Sequence, residues 1–178
     1  MNGGPLPPDH GYPVRTVVPG YVGARSVKWL GRIVVSDRPS LNHYVANAYK
    51  LVTKGDEQEW AAAKPIYKFP VNSAICNPAA GAKVPSGKIK VAGYALPPGE
   101  PGRTIARVEI SADGGKSWQR AKITSPAREF CWTLWEANLA VTSQTDQLII
   151  RAIDSSGAVQ PETVEWNMKV YLYNAWYR

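Results

Sequence analysis

The chain has 178 residues, enough for one full domain or for a site-bearing segment followed by one, and 44% of it is hydrophobic, with seven Trp. A formal net charge of +7 suits either a merely solubilising surface or a small anionic partner, and without a run of Lys/Arg or a recognised motif it does not favour a nucleic acid. Two cysteines exclude a disulfide framework and a multi-cysteine zinc site within the chain, and no apolar run approaches the ~18 residues of a membrane helix.

Residues 2–30 hold five prolines and five glycines, a density that no regular helix or strand accommodates. Val17, Val18, Tyr21, Val22, Val27, Trp29 and Leu30 are nevertheless core material. The combination predicts a rigid loop that carries fixed basic groups, as is needed to hold a large anionic ligand. Within it, residues 2–13 read as extended loop and Val14 to Val18 as a short strand ended by Pro19-Gly20. His10 alone reads as an ordinary hydrogen bonder; the nearby Arg15 makes it a ligand candidate. Arg25, Lys28 and Arg32 recur at spacings of three and four, so one or two helical turns would set all three cations on one face, with plain solvation as the alternative.

Ile33 to Val35 reads as a short strand leading into a polar-aromatic loop or helix turn at Ser40–Lys50. Asp56 to Ala63 is a predicted short helix with Asp56 as its N-cap and Pro65 as its stop, inside a linker over Lys54–Tyr67. From Lys68 the hydrophobic period changes to two. Lys88–Tyr94, Arg107–Ser111, Phe130–Trp135, Gln147–Ile153 and Val164–Leu172 are predicted strands; Asp113-Gly114-Gly115 is a tight turn, with Trp118 opening the return strand. Short strands between Gly/Pro turns predict a mainly β chain, a loop-rich segment at 1–65 followed by an immunoglobulin-like antiparallel β-sandwich at 66–178. Cys76, after an apolar strand pattern, and Cys131, between Phe130 and Trp132, read as buried structural thiols that would pair only in an exported protein.

One stretch carries a resemblance. Asn2-Gly3, Leu6-Pro7, Asp9-His10-Gly11-Tyr12-Pro13-Val14-Arg15, Val18-Pro19-Gly20 and Gly23-Ala24-Arg25 with Val27-Lys28-Trp29-Leu30 closely resemble the sulfite oxidase family of molybdopterin enzymes, which includes assimilatory nitrate reductases. The resemblance returns at Phe69–Ile75, at Ser111–Trp118, at Gln160-Pro161-Glu162 with Trp166-Asn167, and at Asn174–Arg178. It covers essentially the whole chain, which looks like the C-terminal part of a complete family member.

The resemblance implies a molybdenum-pyranopterin cofactor contacted by His10, Arg15, Ser26, Val27 and Lys28. Guanidinium, ammonium and imidazole donors on a stiff frame suit its phosphate and ring system. It also implies that Tyr49, 21 positions after Lys28 and followed by Lys50, contacts a small oxyanion, sulfite; the nitrate reductases carry Asn there. The family's molybdenum-ligating cysteine and a substrate-pocket arginine belong to its larger N-terminal part, so neither Cys76 nor Cys131 is expected to hold the metal, and no metal ligand is assigned. The sandwich corresponds to the family's dimerisation domain and implies a homodimer. The readings that stay open are part of a sulfite-oxidising enzyme, a non-catalytic β-sandwich dimerisation or binding module, and a nitrate reductase-type relative. The electron acceptor and compartment are open too, a periplasmic or organellar location being compatible with the complete protein.

Overall fold

The computed structural model describes residues 2–178, and the chain divides into two compact units. One runs to Phe69 and takes back Trp166–Tyr171; the other comprises Pro70–Glu165 and Leu172–Arg178. The expected boundary at 65/66 therefore stands beside an observed division at 69/70, with a second, later piece in the first unit.

The first unit is mostly irregular, as its proline and glycine content dictates. It contains short 3-10 turns at Pro8–His10 and Gly23–Arg25, a π-helical turn at Tyr44–Ala48 and the helix α1, Glu57–Ala62. The α1 start is the expected one: the Asp56 side chain accepts from the Glu59 amide at 2.8 Å. Three expected features are corrected. Val14–Val18 is not a strand, because its pairing reduces to Thr16 N donating to Val27 O and Leu30 N donating to Val14 O, both at 2.9 Å, between flanking prolines. No helix aligns Arg25, Lys28 and Arg32, since the 3-10 turn ends at Ser26 and Trp29 takes a left-handed φ of 51°. Ile33–Val35 is not a strand either: it finds no ladder among the described residues, and Val35 is 96% exposed.

The second unit is the antiparallel sandwich. Its strands are β1 (Asn72–Asn77), β2 (Gly87–Leu96), β3 (Ile105–Ser111), β4 (Gln119–Arg120), β5 (Lys122–Ile123), β6 (Thr133–Val141) and β7 (Ile149–Asp154). One sheet has the order β1-β2-β6-β5 and the other β4-β3-β7. The first is the strand order of an immunoglobulin constant-type ABED sheet. Alternation puts Ile89, Val91 and Ala95 of β2 and Trp135, Ala137, Leu139 and Val141 of β6 inside, against Val108 and Ile110 of β3 and Ile150 and Ala152 of β7. The strand expected over Phe130–Trp135 begins later, at Thr133, because Phe130 sits at φ 56°.

Val164–Leu172 forms no strand. Asn167 folds it into a turn, its side chain accepting from Tyr171 N at 2.9 Å and donating to Tyr171 O at 3.0 Å, with Val170 and Leu172 left-handed. Both cysteines are free and exposed, contrary to the expectation of buried thiols. A register shift between Ile75 and Asn77 disturbs the β1 alternation at Cys76, and Cys131 precedes β6 in a turn. Two motifs of the resemblance prove to be structural. Buried Gln160 accepts from Ser73 Oγ at 2.6 Å and donates to Ala175 O at 2.7 Å, anchoring the terminal segment. Asp113 organises its turn by accepting from Ser117 Oγ, Ser117 N and Ser111 Oγ, and the hydrogen bonds from Ser117 hold its carboxyl well below the ordinary range.

Candidate cofactor site

Two of the five predicted contacts, Arg15 and Lys28, meet at Gly11. This glycine is buried at φ +110°, and a Cβ there would stand 3.0 Å from Lys28 Cβ and 3.1 Å from Arg15 Cβ. The missing side chain is thus what lets the two cationic stems close on the loop. Arg15 Nη1 donates to His10 O at 3.0 Å and Nη2 to Ser26 O at 3.0 Å. Lys28 Nζ donates to Asp9 O at 2.6 Å, and Trp29 Nε1 to Pro8 O at 3.0 Å. Ser26 Oγ accepts from Val18 N at 3.2 Å, while Val27 O accepts from Thr16 N. His10, Arg15, Ser26, Val27 and Lys28 are therefore one assembly, held by backbone carbonyls on crossing loops.

The donor set suits an anion. Among the described residues neither Arg15 nor Lys28 forms an ion pair with a carboxylate; their charges face carbonyl oxygens and, for Lys28, the Trp29 ring at 5.6 Å. A guanidinium has five N–H groups and an ammonium three. Arg15 directs Nη1 and Nη2 to His10 and Ser26 and a longer Nε contact of 3.4 Å to Thr16 O; Lys28 directs one bond to Asp9. Each keeps donors for a phosphate or a pterin ring, and by this test the residues fit a pyranopterin.

Tyr49 meets the same unit elsewhere. It follows the π-helical turn, half-buried, with the Tyr44 ring centroid at 6.2 Å, the Tyr171 centroid at 5.5 Å and Arg25 Cζ at 5.9 Å. Lys50 does not reach toward a substrate: buried, it donates to Trp60 O at 2.8 Å, satisfying a carbonyl of the last turn of α1. Arg25 and Tyr171 were not singled out as site residues from the sequence. Arg25 showed as one of three spaced cations and within the resembling stretch but with no role attached, and no local pattern could bring residue 171 to residue 49. A groove of about 310 Å³ in the sandwich, between Pro78–Ala82 and Thr145–Leu148, holds none of the predicted site residues.

Cations fixed on a loop assembly without carboxylate partners among the described residues, followed in the chain by an immunoglobulin-like sandwich, are the arrangement expected of a molybdopterin oxidoreductase, and two family models bear the class out. Residues 63–178 match the family model of the Mo-co oxidoreductase dimerisation domain, and residues 1–44 that of the oxidoreductase molybdopterin binding domain. Sulfite oxidase, mitochondrial, of Mus musculus is 42% identical over 189 residues, covering 100% of this chain and 34% of that protein. Sulfite oxidase of Arabidopsis thaliana is 42% identical over 194 residues, covering 100% of this chain and 49% of that protein. The crystal structure of the sulfane dehydrogenase SoxCD from Paracoccus pantotrophus superposes with a TM-score of 0.82 at 29% identity, over 98% of this chain and 45% of that one. The chain belongs to the sulfite oxidase family of molybdopterin oxidoreductases, and it spans between a third and a half of the length of these curated relatives.

Proposed function

We propose that the chain forms the C-terminal part of a molybdenum-cofactor enzyme that oxidises sulfite to sulfate. His10, Arg15, Ser26, Val27 and Lys28 hold the pyranopterin, and Tyr49 orients the substrate. The observation that carries this reading is the closure of Arg15 and Lys28 around Gly11 without a carboxylate partner among the described residues. When bound, the cofactor supplies a two-electron oxidation in which sulfite gains an oxygen derived from water, and the two electrons pass to a separate acceptor. This chain's own residues bind and orient. Arg15 and Lys28 offer charge-assisted donors to the cofactor's anionic groups. The Tyr49 hydroxyl is a neutral donor that can orient an oxyanion without adding charge. Cys76 and Cys131 belong to the sandwich unit, and the thiolate for the metal comes from outside the residues described.

The sandwich pairs two copies of the chain. Its two outer faces differ in a way that supports this. On the three-stranded sheet, Glu109 accepts from Arg107 and Arg151 at 2.9 and 2.7 Å, and Arg151 lies 4.0 Å from the Trp118 ring centroid, with Trp176 at 5.6 Å. The four-stranded sheet also carries an outer ion pair, Lys90 to Glu136 at 2.7 Å, but beyond it Tyr94 stacks on Trp132 at 4.4 Å, and Leu134, the cross-strand neighbour of Tyr94, is exposed beside them; Trp132 is 60% exposed. An open aromatic patch on a domain of this family suits a second copy.

The test is steady-state kinetics of the complete protein with sulfite, with nitrate as control, on wild type and Tyr49→Phe. Tyr49→Phe is expected to raise KM for sulfite and lower turnover, together costing about 2–4 kcal/mol in kcat/KM. Nitrate reduction without sulfite oxidation, or an unaltered Tyr49→Phe enzyme, would overturn the substrate reading. A preparation free of molybdenum and pterin would favour the non-catalytic module.

A further inference from the structure

Arg25 binds backbone carbonyls as Arg15 does, but its partners, Ile66 and Tyr44, lie outside the cofactor assembly. Its Nε and Nη2 both donate to Ile66 O, at 2.9 and 2.6 Å, and its Nη1 donates to Tyr44 O at 3.0 Å. The Ile66 peptide then passes the constraint on, because Ile66 N donates to Tyr49 O at 2.7 Å and Lys50 bridges to Pro65. One guanidinium thereby grips both ends of the π-helical turn: Tyr44, its first residue, directly, and Tyr49, the residue after it, through Ile66. It also stands over rings, with Cζ 4.9 Å from the Tyr67 centroid and 5.9 Å from that of Tyr49. Isolated π turns are uncommon and recur at functional sites. Asn42 holds its start, Oδ1 accepting from Tyr44 N at 2.9 Å, while His43 at the N-cap position makes no side-chain bond and Arg25 ties the turn to Ile66. Arg25 is half-buried and has no carboxylate partner among the described residues.

We propose that Arg25 is a positioning residue for Tyr49, fixing the turn Tyr44–Ala48 so that the phenol keeps one orientation toward the substrate. The proposal rests on the reading of Tyr49 as a substrate contact. It assigns Arg25 an effect on sulfite affinity rather than on cofactor retention, which belongs to Arg15 and Lys28. Lys at position 25 would keep the charge, but a single ammonium cannot reproduce the fork onto the Ile66 and Tyr44 carbonyls.

The test uses the complete molybdenum-loaded protein in four forms: Arg25→Lys, Arg25→Gln, Tyr49→Phe, and Arg25→Gln combined with Tyr49→Phe. Molybdenum per protein is expected to match wild type in the Arg25 variants. Their KM for sulfite is expected to rise about tenfold, the scale of one lost charge-assisted hydrogen bond, with kcat per molybdenum altered much less. Amide hydrogen exchange over residues 44–50 is expected to quicken in Arg25→Gln while the rest of the first unit keeps its protection. The double variant is expected to be no worse than Tyr49→Phe alone. Arg25 variants that lose molybdenum, that leave KM unchanged, or whose effect adds in full to that of Tyr49→Phe would overturn the proposal. A wild-type KM in Tyr49→Phe with sulfite turnover intact would instead overturn the reading of Tyr49 on which it rests. Should Arg25→Gln fail to accumulate, Arg25→Lys supplies the same KM and occupancy readings.

Discussion

Gly93 of β2 lies directly across the sheet from Trp135 of β6, and a Cβ at Gly93 would fall 2.7 Å from Cζ2 of the indole. Trp135 is 1% exposed, so its ring has no room to retreat. The same methyl would strike the Ala74 carbonyl of β1. Gly93→Ala is therefore expected to destabilise the sandwich by about 3 kcal/mol, at the upper end of ordinary overpacking, because a backbone group cannot rotate away. Urea denaturation followed by tryptophan fluorescence measures it. A midpoint equal to wild type would show that β1 shifts freely.

The strand around Gly93 was legible from period-two alternation at Lys88–Tyr94, but the reason for the glycine was not, since it depends on what lies across the sheet and on the neighbouring strand. The first unit divides the same way. His10, Arg15 and Lys28 stood out by chemistry and by resemblance, and the fold does bring them together. Val14–Val18 and Ile33–Val35 misled because β-branched residues create a strand only where a partner offers a ladder. Val164–Leu172 misled for a different reason: the Asn167 side chain substitutes for the neighbouring strand and closes a turn instead. Arg25 acts across 41 residues of sequence, a separation that no local pattern reports.

Arg15→Ala and Lys28→Ala in the complete enzyme are each expected to lower cofactor occupancy about tenfold or more. Each charge-assisted bond contributes about 1.5–3 kcal/mol net. Molybdenum and pterin content per purified protein is the measurement. Full occupancy in Arg15→Ala would remove Arg15 from the cofactor site.

Glu59 of α1 accepts from Thr53 N and Thr53 Oγ1 at 2.7 and 2.8 Å with one oxygen, and from Lys54 N and Gly55 N, both at 2.7 Å, with the other. These bonds, led by that from the Thr53 amide, hold its pKa at about 2 against an ordinary 4.5. A depressed folded-state value means that the stabilisation is complete above the unfolded value and is lost as pH falls through the folded one. Glu59→Gln, whose amide nitrogen cannot accept, is expected to melt lower than wild type at neutral pH. The gap should close between about pH 4.5 and 2. Melting curves of both proteins across that range provide the check, and a gap independent of pH would assign the loss to packing.

Trp132→Arg and Leu134→Lys are expected to convert a two-fold dimer into monomers at tens of micromolar, as seen by sedimentation. Arg107→Ala, on the opposite charged face, is expected to leave the dimer intact. The reverse pattern would move the interface to the three-stranded sheet.

The return of Trp166–Tyr171 to the first unit has a consequence for synthesis. That unit is written in the gene as two pieces, parted by the strands of the sandwich. In it Met168 N donates to Val52 O at 2.9 Å, and the Tyr171 ring lies against Tyr49. A nascent chain that has released residues up to Phe69 therefore still lacks both contacts. At about 5–20 residues per second the ribosome needs several more seconds, on the order of 5–20, to supply them. The surroundings of Tyr49 are completed only after the strands of the sandwich have left the exit tunnel.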